Sequence, residues 1–268
     1  MTTDRTDDSR MVRVEVEVPA TPEQVWEAIA TGPGMSAWFV PAEVDGREGG
    51  AVVTSHGPFG DSHGVVTAWD PPHRFAYEER EWTDRDGAPP WATEILVEAR
   101  AGGTCVVRLA SGFRTGGEDW AGELAGTDDG WRDGMQHLRI YLTHFAGLPT
   151  ASVMLFQPIE EPAEVAWRRL VDLLGLDGLA AGQRRTVAVA GAPSLAGIVE
   201  DVTPLQVKLR TDVPAPGIVD LYVHQWAGRT HVLVRCYLYG DAGEAARART
   251  EEEWAGWLDR HFPAAPTG

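Results

Sequence analysis

Asp128–Phe145, DDGWRDGMQHLRIYLTHF, is the stretch that decides how the first half of the chain is read. Its apolar residues recur at Trp131, Met135, Leu138, Leu142 and Phe145, in steps of four, three, four and three. That spacing is one stripe of an amphipathic α-helix of about five turns. Arg132, Gln136, Arg139 and Thr143 take the opposite face, and Asp128 and Asp129 sit where the helix dipole favours negative charge. Almost everything upstream reads as short strands. A long amphipathic helix after many strands predicts a helix laid across a curved antiparallel sheet, an α+β arrangement.

The strands are expected near Ala51–Ser55, Gly64–Trp69, Arg74–Trp82, Thr93–Arg100 and Thr104–Phe113, separated by Gly and Pro clusters. Alternate residues of a strand share a face. One face then carries Phe75, Tyr77, Glu79, Ile95, Val97, Cys105, Val107, Leu109 and Ser111, and the other carries Glu78, Arg80, Glu98, Arg100 and Arg108. A sheet with one dry and one wet face is what antiparallel pairing allows, and the dry face is the natural partner of the Trp131 helix. A Gly- and acid-rich loop, GGEDWAGELAGTDDG, leads from Phe113 into that helix.

Further upstream, Val12–Val18 alternates as a half-exposed strand. Thr21-Pro22-Glu23-Gln24 has the pattern of a capping box, starting a helix that turns Val25, Trp26 and Ile29 inward. Gly32-Pro33-Gly34 ends it, and Met35–Phe39 is expected as a short second helix. The second half repeats the order. A strand at Ala151–Gln157 is followed by a helix from Pro162, then strands near Thr186–Ala190, Leu195–Val202, Gln206–Val213, Ile218–Trp226 and Thr230–Tyr239, and a last helix at Glu251–Phe262. PATPEQVWEAI is echoed by PIEEPAEVAWRRL, and DDGWRDGM by EEEWAGWL. The expected division is a disordered tail over 1–10, one domain over 11–148 and a second, divergent copy over 151–263.

The chain has 40 acidic and 23 basic residues, a net charge of −17, which argues against nucleic acid or an anionic membrane surface as partner. The polar N-terminus lacks the apolar core of a signal peptide, and no run approaches a membrane span. Cys105 and Cys236 lie far apart, with no CxxC, so a reduced, cytoplasmic protein with two buried thiols is expected.

VRVEVEVPATPEQVWEAI, the turn MSAWFVP at Met35–Pro41, GVVTAWDPPHRFAYEE, Ser111-Gly112-Phe113 and Gly130-Trp131 together resemble the START/birch-pollen-allergen-like (SRPBCC) superfamily. Within it they look most like bacterial relatives of the activator of the 90-kDa heat-shock protein ATPase. The resemblance covers roughly Val12–Phe145 and implies a helix-grip fold, in which the sheet wraps the long helix around an apolar cavity. The second half resembles this fold only through the repeat, and lacks a counterpart of the Met35–Phe39 turn.

The implied ligand site is lined by Trp38, Phe75, Tyr77, Phe113, Trp131, Met135 and Leu138, with Glu79 and Ser111 as inward polar groups. A core filled by the same side chains is the alternative. The function this implies is non-catalytic binding of a small apolar or aromatic ligand. A polyketide-cyclase-like enzyme working through Glu79, Tyr77 or His73, or a chaperone-type protein-binding module, is the alternative. No catalytic or cofactor motif is present: no GxSxG, HExxH, Walker A or dinucleotide fingerprint. His56, Asp61 and His63 have metal-binding side chains but read as a solvated Gly-Pro loop without a fourth ligand, so neither cofactor nor metal is expected.

Overall fold

The computed structural model describes residues 10–83, 86–114, 124, 127–226 and 228–264. Two compact units divide the chain, Met1–Gly147 and Leu148–Gly268.

The first unit runs β1 (Arg10–Val18), α1 (Pro22–Ala30), α2 (Gly32–Ser36), β2 (Ala42–Val44), β3 (Ala51–Ser55), β4 (Asp61–Asp70), β5 (Arg74–Glu79), β6 (Trp91–Arg100), β7 (Thr104–Phe113) and α3 (Thr127–His144). Its seven strands form one sheet in the order β1-β7-β6-β5-β4-β3-β2, with every neighbouring pair antiparallel. An irregularity between Val66 and Ala68 interrupts the β4–β5 register, and such bulges increase local twist.

Local chemistry explains the helices. At the start of α1, the Gln24 backbone N–H donates to Thr21 Oγ1 at 3.3 Å, while the Thr21 N–H donates to Gln24 Oε1 at 2.9 Å. This is the expected capping box. The second helix falls earlier than Met35–Phe39 because Thr31 caps it, accepting the Gly34 N–H at 3.1 Å, and Pro33 suits its first turn. Gly34 permits α2 to lie directly on α1, since a Cβ there would stand 1.9 Å from the Glu27 carbonyl oxygen.

In α3 the stripe of Trp131, Met135, Leu138 and Leu142 is buried, and the helix packs along β1 and against α1. Ladder register confirms the two faces of the sheet. Phe75 stands opposite Ile95, Ile95 opposite Leu109, and Leu109 opposite Val14, all within the core. On the other face Arg108 pairs with Glu15 at 2.6 Å and also with Glu98. Arg10 belongs to β1, opposite Phe113, rather than to a tail. Residues 1–9 and most of the Gly- and acid-rich loop lie outside the described residues.

The second unit runs β8 (Thr150–Ile159), α4 (Ala163–Leu174), β9 (Arg184–Thr186), β10 (Ala196–Thr203), β11 (Gln206–Val213), β12 (Gly217–Trp226), β13 (Arg229–Tyr239) and α5 (Gly240–His261). Its sheet order, β8-β13-β12-β11-β10-β9, repeats the winding of the first unit without α2 and without one edge strand. The ninth strand covers only Arg184–Thr186 instead of Thr186–Ala190. The last helix starts at Gly240 instead of Glu251, because its first half is rich in Ala, Glu and Arg, which favour helix without forming an apolar stripe. Its core packs Val153, Val199, Leu209, Val219, Leu221 and Val234 against Leu170 of α4 and Trp254, Trp257 and Phe262 of α5. No helix of the described residues is long and apolar enough to cross a membrane.

Candidate functional site

Antiparallel order brings the end of β3, the start of β4, the end of β5, the start of β6 and the end of β7 to one end of the first sheet. Glu79 lies in the middle of this end, opposite Gly64 on β4 and Trp91 on β6. A Cβ on Gly64 would come within 3.3 Å of Glu79 Cγ and 3.1 Å of Tyr77 Cδ2, so the glycine leaves the space these side chains occupy. The Ser62 hydroxyl donates to one carboxyl oxygen of Glu79. Burial pushes the Glu79 pKa up, and the Ser62 hydrogen bond only partly opposes this.

Beside Glu79 runs a chain of polar groups. Trp91 Nε1–H donates to Ser111 Oγ at 2.9 Å, Ser111 and Thr93 hydroxyls lie 2.9 Å apart, and Thr93 is hydrogen-bonded to Tyr77. Burial is the main reason the Tyr77 phenol is pushed far above its ordinary pKa, with the neighbouring Glu79 adding to it. On the other side, His56 Nε2 stands 3.1 Å from Thr54 Oγ1. Burial lowers the His56 pKa and Asp61 acts against it, which favours the neutral ring.

Aromatic rings frame these polar groups. Phe39 stacks on Trp131, with centroids 5.0 Å apart, and meets His56 edge-on at 6.2 Å. Trp82, Trp91 and Phe113 form a second cluster with centroids 5.1–5.6 Å apart. Phe39, Trp82 and Trp91 are only partly buried. Such an arrangement, apolar rings around a few hydrogen-bonding groups, suits a small-molecule site.

Of the residues singled out from the sequence, Tyr77, Glu79, Ser111, Phe113 and Trp131 come together at this end. Trp38 is enclosed behind Phe39, its ring centroid 5.7 Å from that of Phe39 and its indole N–H donating to the Ala28 carbonyl at 2.9 Å. Phe75 joins Trp26 and Trp69 nearer the opposite end of β5, with centroids 6.5 and 5.8 Å away. Met135 and Leu138 are enclosed further along α3. The sequence reading missed Phe39, His56, Ser62, Trp82, Trp91 and Thr93. Extending β6 back past Thr93 by its alternation places Trp91 on the same face, whereas Phe39 and His56 are set by turns that carry no periodic signal.

His73 sits in the β4–β5 turn, its N–H bonded to the Asp70 carbonyl, at the far end of β5 from Glu79. His63 is exposed and alternates with Ser62 along β4, so it does not converge with His56. A groove of about 530 Å³ lies on the other face of the sheet, where Arg13, Glu15, Glu94, Leu96 and Arg108 line it. Its Arg108 is ion-paired with Glu15 and its Glu94 with Arg74, so this is not the apolar site expected from the sequence.

The first unit is a helix-grip module: a curved antiparallel sheet closed over by its C-terminal helix, with aromatic and polar groups gathered at one end. Residues 10–140 match the family model described as "Polyketide cyclase / dehydrase and lipid transport", a family of the SRPBCC type. No curated protein matches the chain. Among solved structures, the chain is similar to the di-domain ARO/CYC BexL, with 14% identity over 96% of this chain and 100% of that one, at a TM-score of 0.45. It is similar to DynU16 from the dynemicin biosynthetic locus, with 16% identity over 93% of this chain and 95% of that one, at a TM-score of 0.44. The Aha1 protein of Colwellia psychrerythraea is 15% identical over 51% of this chain and 98% of that one, at a TM-score of 0.43.

Proposed function

We propose that the first unit is a non-catalytic binder of a small hydrophobic or aromatic molecule, held at the end of the grip where Glu79 lies. The observation that carries this reading is the ring of partly exposed aromatics, Phe39, Trp82 and Trp91, around the Ser62–Glu79 pair. The family description, which includes lipid transport, supports it. In the second unit the hydrophobic core is filled by aliphatic side chains, tryptophans and Phe262, while Lys208 and Asp220 are buried on its sheet. The two buried, free thiols suit a reducing compartment, and the cytoplasm is the expected one.

Burial supplies most of the affinity, at roughly 0.8 kcal/mol per buried CH₂ before the cost of immobilising the ligand. The test is a titration with phenylnaphthylamine, a neutral probe that brightens in apolar surroundings. Wild type and the surface variant Arg139→Ala should bind it alike, and Trp91→Ala should bind it at least about tenfold more weakly. If wild type does not bind it, or Trp91→Ala binds it equally, a protein-binding role of the chaperone-activator kind replaces this one.

One observation favours an enzymatic second reading: the raised pKa of Glu79 suits a general acid in a cyclase-like reaction.

A further inference from the structure

We infer that the groove on the outer face of the first sheet is a second ligand site, separate from the grip, and that it takes a small monocarboxylate with a flat apolar body.

The ladder register explains why a groove lies there. Three rows follow one another on this face of β1, β7 and β6. Met11 stands opposite Gly112, then Arg13 opposite Ala110 and Ala110 opposite Glu94, then Glu15 opposite Arg108 and Arg108 opposite Leu96. In the first two rows β7 supplies no side chain and then a single methyl group, while Arg13 and Glu94 stand tall on either side. The result is a trough over Ala110, which stays partly exposed at its floor and is stopped at one end by Arg108. Its volume of about 530 Å³ is that of a small-molecule pocket.

Charge decides the class of guest. Glu94 Oε1 accepts from Arg74 Nε at 2.8 Å, whereas Arg114 Nη2 reaches the same oxygen only at 3.8 Å. That distance allows attraction and is too long for a hydrogen bond. One carboxylate thus serves two guanidinium groups. The adjoining pairs balance, with Glu15 and Glu98 meeting Arg108 and Arg100. These ion pairs therefore leave one positive charge over, at Arg114, in a chain whose net charge is −17. A guanidinium fork suits carboxylate and phosphate alike. A single excess charge bordered by Glu94 and Glu15 suits a monoanion, and a phosphate dianion would overcharge the groove.

Apolar surface completes the site. Leu96 is 38% exposed on this face, and Met11 lies partly buried across the trough. An exposed ion pair alone contributes little. With its carboxylate at Arg114, the guest covers Ala110 and Leu96 with its body and adds the burial that the charge cannot supply.

The test is equilibrium dialysis with naphthoate at neutral pH, with naphthyl phosphate, largely a dianion there, as competitor. Wild type should bind one naphthoate. Binding should weaken at least about fivefold in Arg114→Gln, which loses the charge, and about tenfold in Ala110→Phe, which fills the trough. Trp91→Ala, at the grip, should leave it unchanged, and naphthyl phosphate should compete poorly. Phenylnaphthylamine binding should survive in Arg114→Gln and Ala110→Phe, so that failure of the groove and failure of the grip are read separately. No naphthoate binding by wild type overturns the inference. So does an affinity unchanged in either groove variant, a loss in Trp91→Ala, or naphthyl phosphate as the tighter ligand.

Discussion

Phe39 lies stacked on Trp131, the ring planes 15° from parallel and the centroids 5.0 Å apart. The contact fastens the turn after α2 to the first turns of α3, and it does so at the end of the sheet where Glu79 sits. Trp131→Ala removes both this stack and a buried part of the helix stripe. The expected cost is about 3–5 kcal/mol in urea melts. A loss below about 1 kcal/mol would show that the stripe does not face the sheet.

Gly64 offers a test in the opposite sense, by adding atoms. Gly64→Val places a branched side chain against Tyr77 and Glu79, where even a Cβ stands only 3.1–3.3 Å from its neighbours. Overpacking of this kind costs about 1–3 kcal/mol. The variant should fold, melt earlier, and lose phenylnaphthylamine binding. Retained binding at wild-type affinity would place the ligand elsewhere.

Glu79 also sets a pH dependence whose sign follows from its raised pKa. Above the unfolded value, about 4.3, the unfolded chain gives up this proton while the native state still holds it. Stability therefore falls as pH rises through the window between the unfolded pKa and the raised folded one. Glu79→Gln cannot ionise. It should gain stability over wild type at neutral pH and lose that advantage below about pH 4. Equal pH profiles in thermal melts would mean that the carboxyl is solvated.

The two thiols give a check on both cores. Cys105 and Cys236 are fully enclosed, and burial raises the pKa of each. In native protein both should react with a disulfide reagent at least about a hundredfold more slowly than in denaturant, since the thiolate is the reactive form. Fast reaction of either one in native protein would contradict the packing around it.

Periodicity made much of the fold legible. The four-three spacing from Trp131 gave α3 to within a residue at each end, and the alternation in Arg74–Trp82, which β5 follows only as far as Glu79, and in Thr104–Phe113 gave the correct faces. What it could not show was structure held by something other than an apolar stripe. The first half of α5 relies on helix propensity, and β2 is too short to alternate. The site was half legible for the same reason. Tyr77, Glu79 and Ser111 follow from strand parity. Phe39 and His56 reach the site through a turn and a strand end, and Ser62 enters because β4 starts at Asp61, in what reads as a Gly-Pro loop.

Each sheet closes one of its edges with a strand of only three residues, Ala42–Val44 in the first unit and Arg184–Thr186 in the second. A stub that short offers a stray chain few free backbone groups to add to, so neither border is a good seed for fibre growth. The long borders carry other deterrents. Arg10, Arg13, Glu15 and Glu17 charge β1, and Pro158 interrupts the donors of β8. A protein made of two open sheets has four such borders, and each of these terminations works against amyloid-like pairing there.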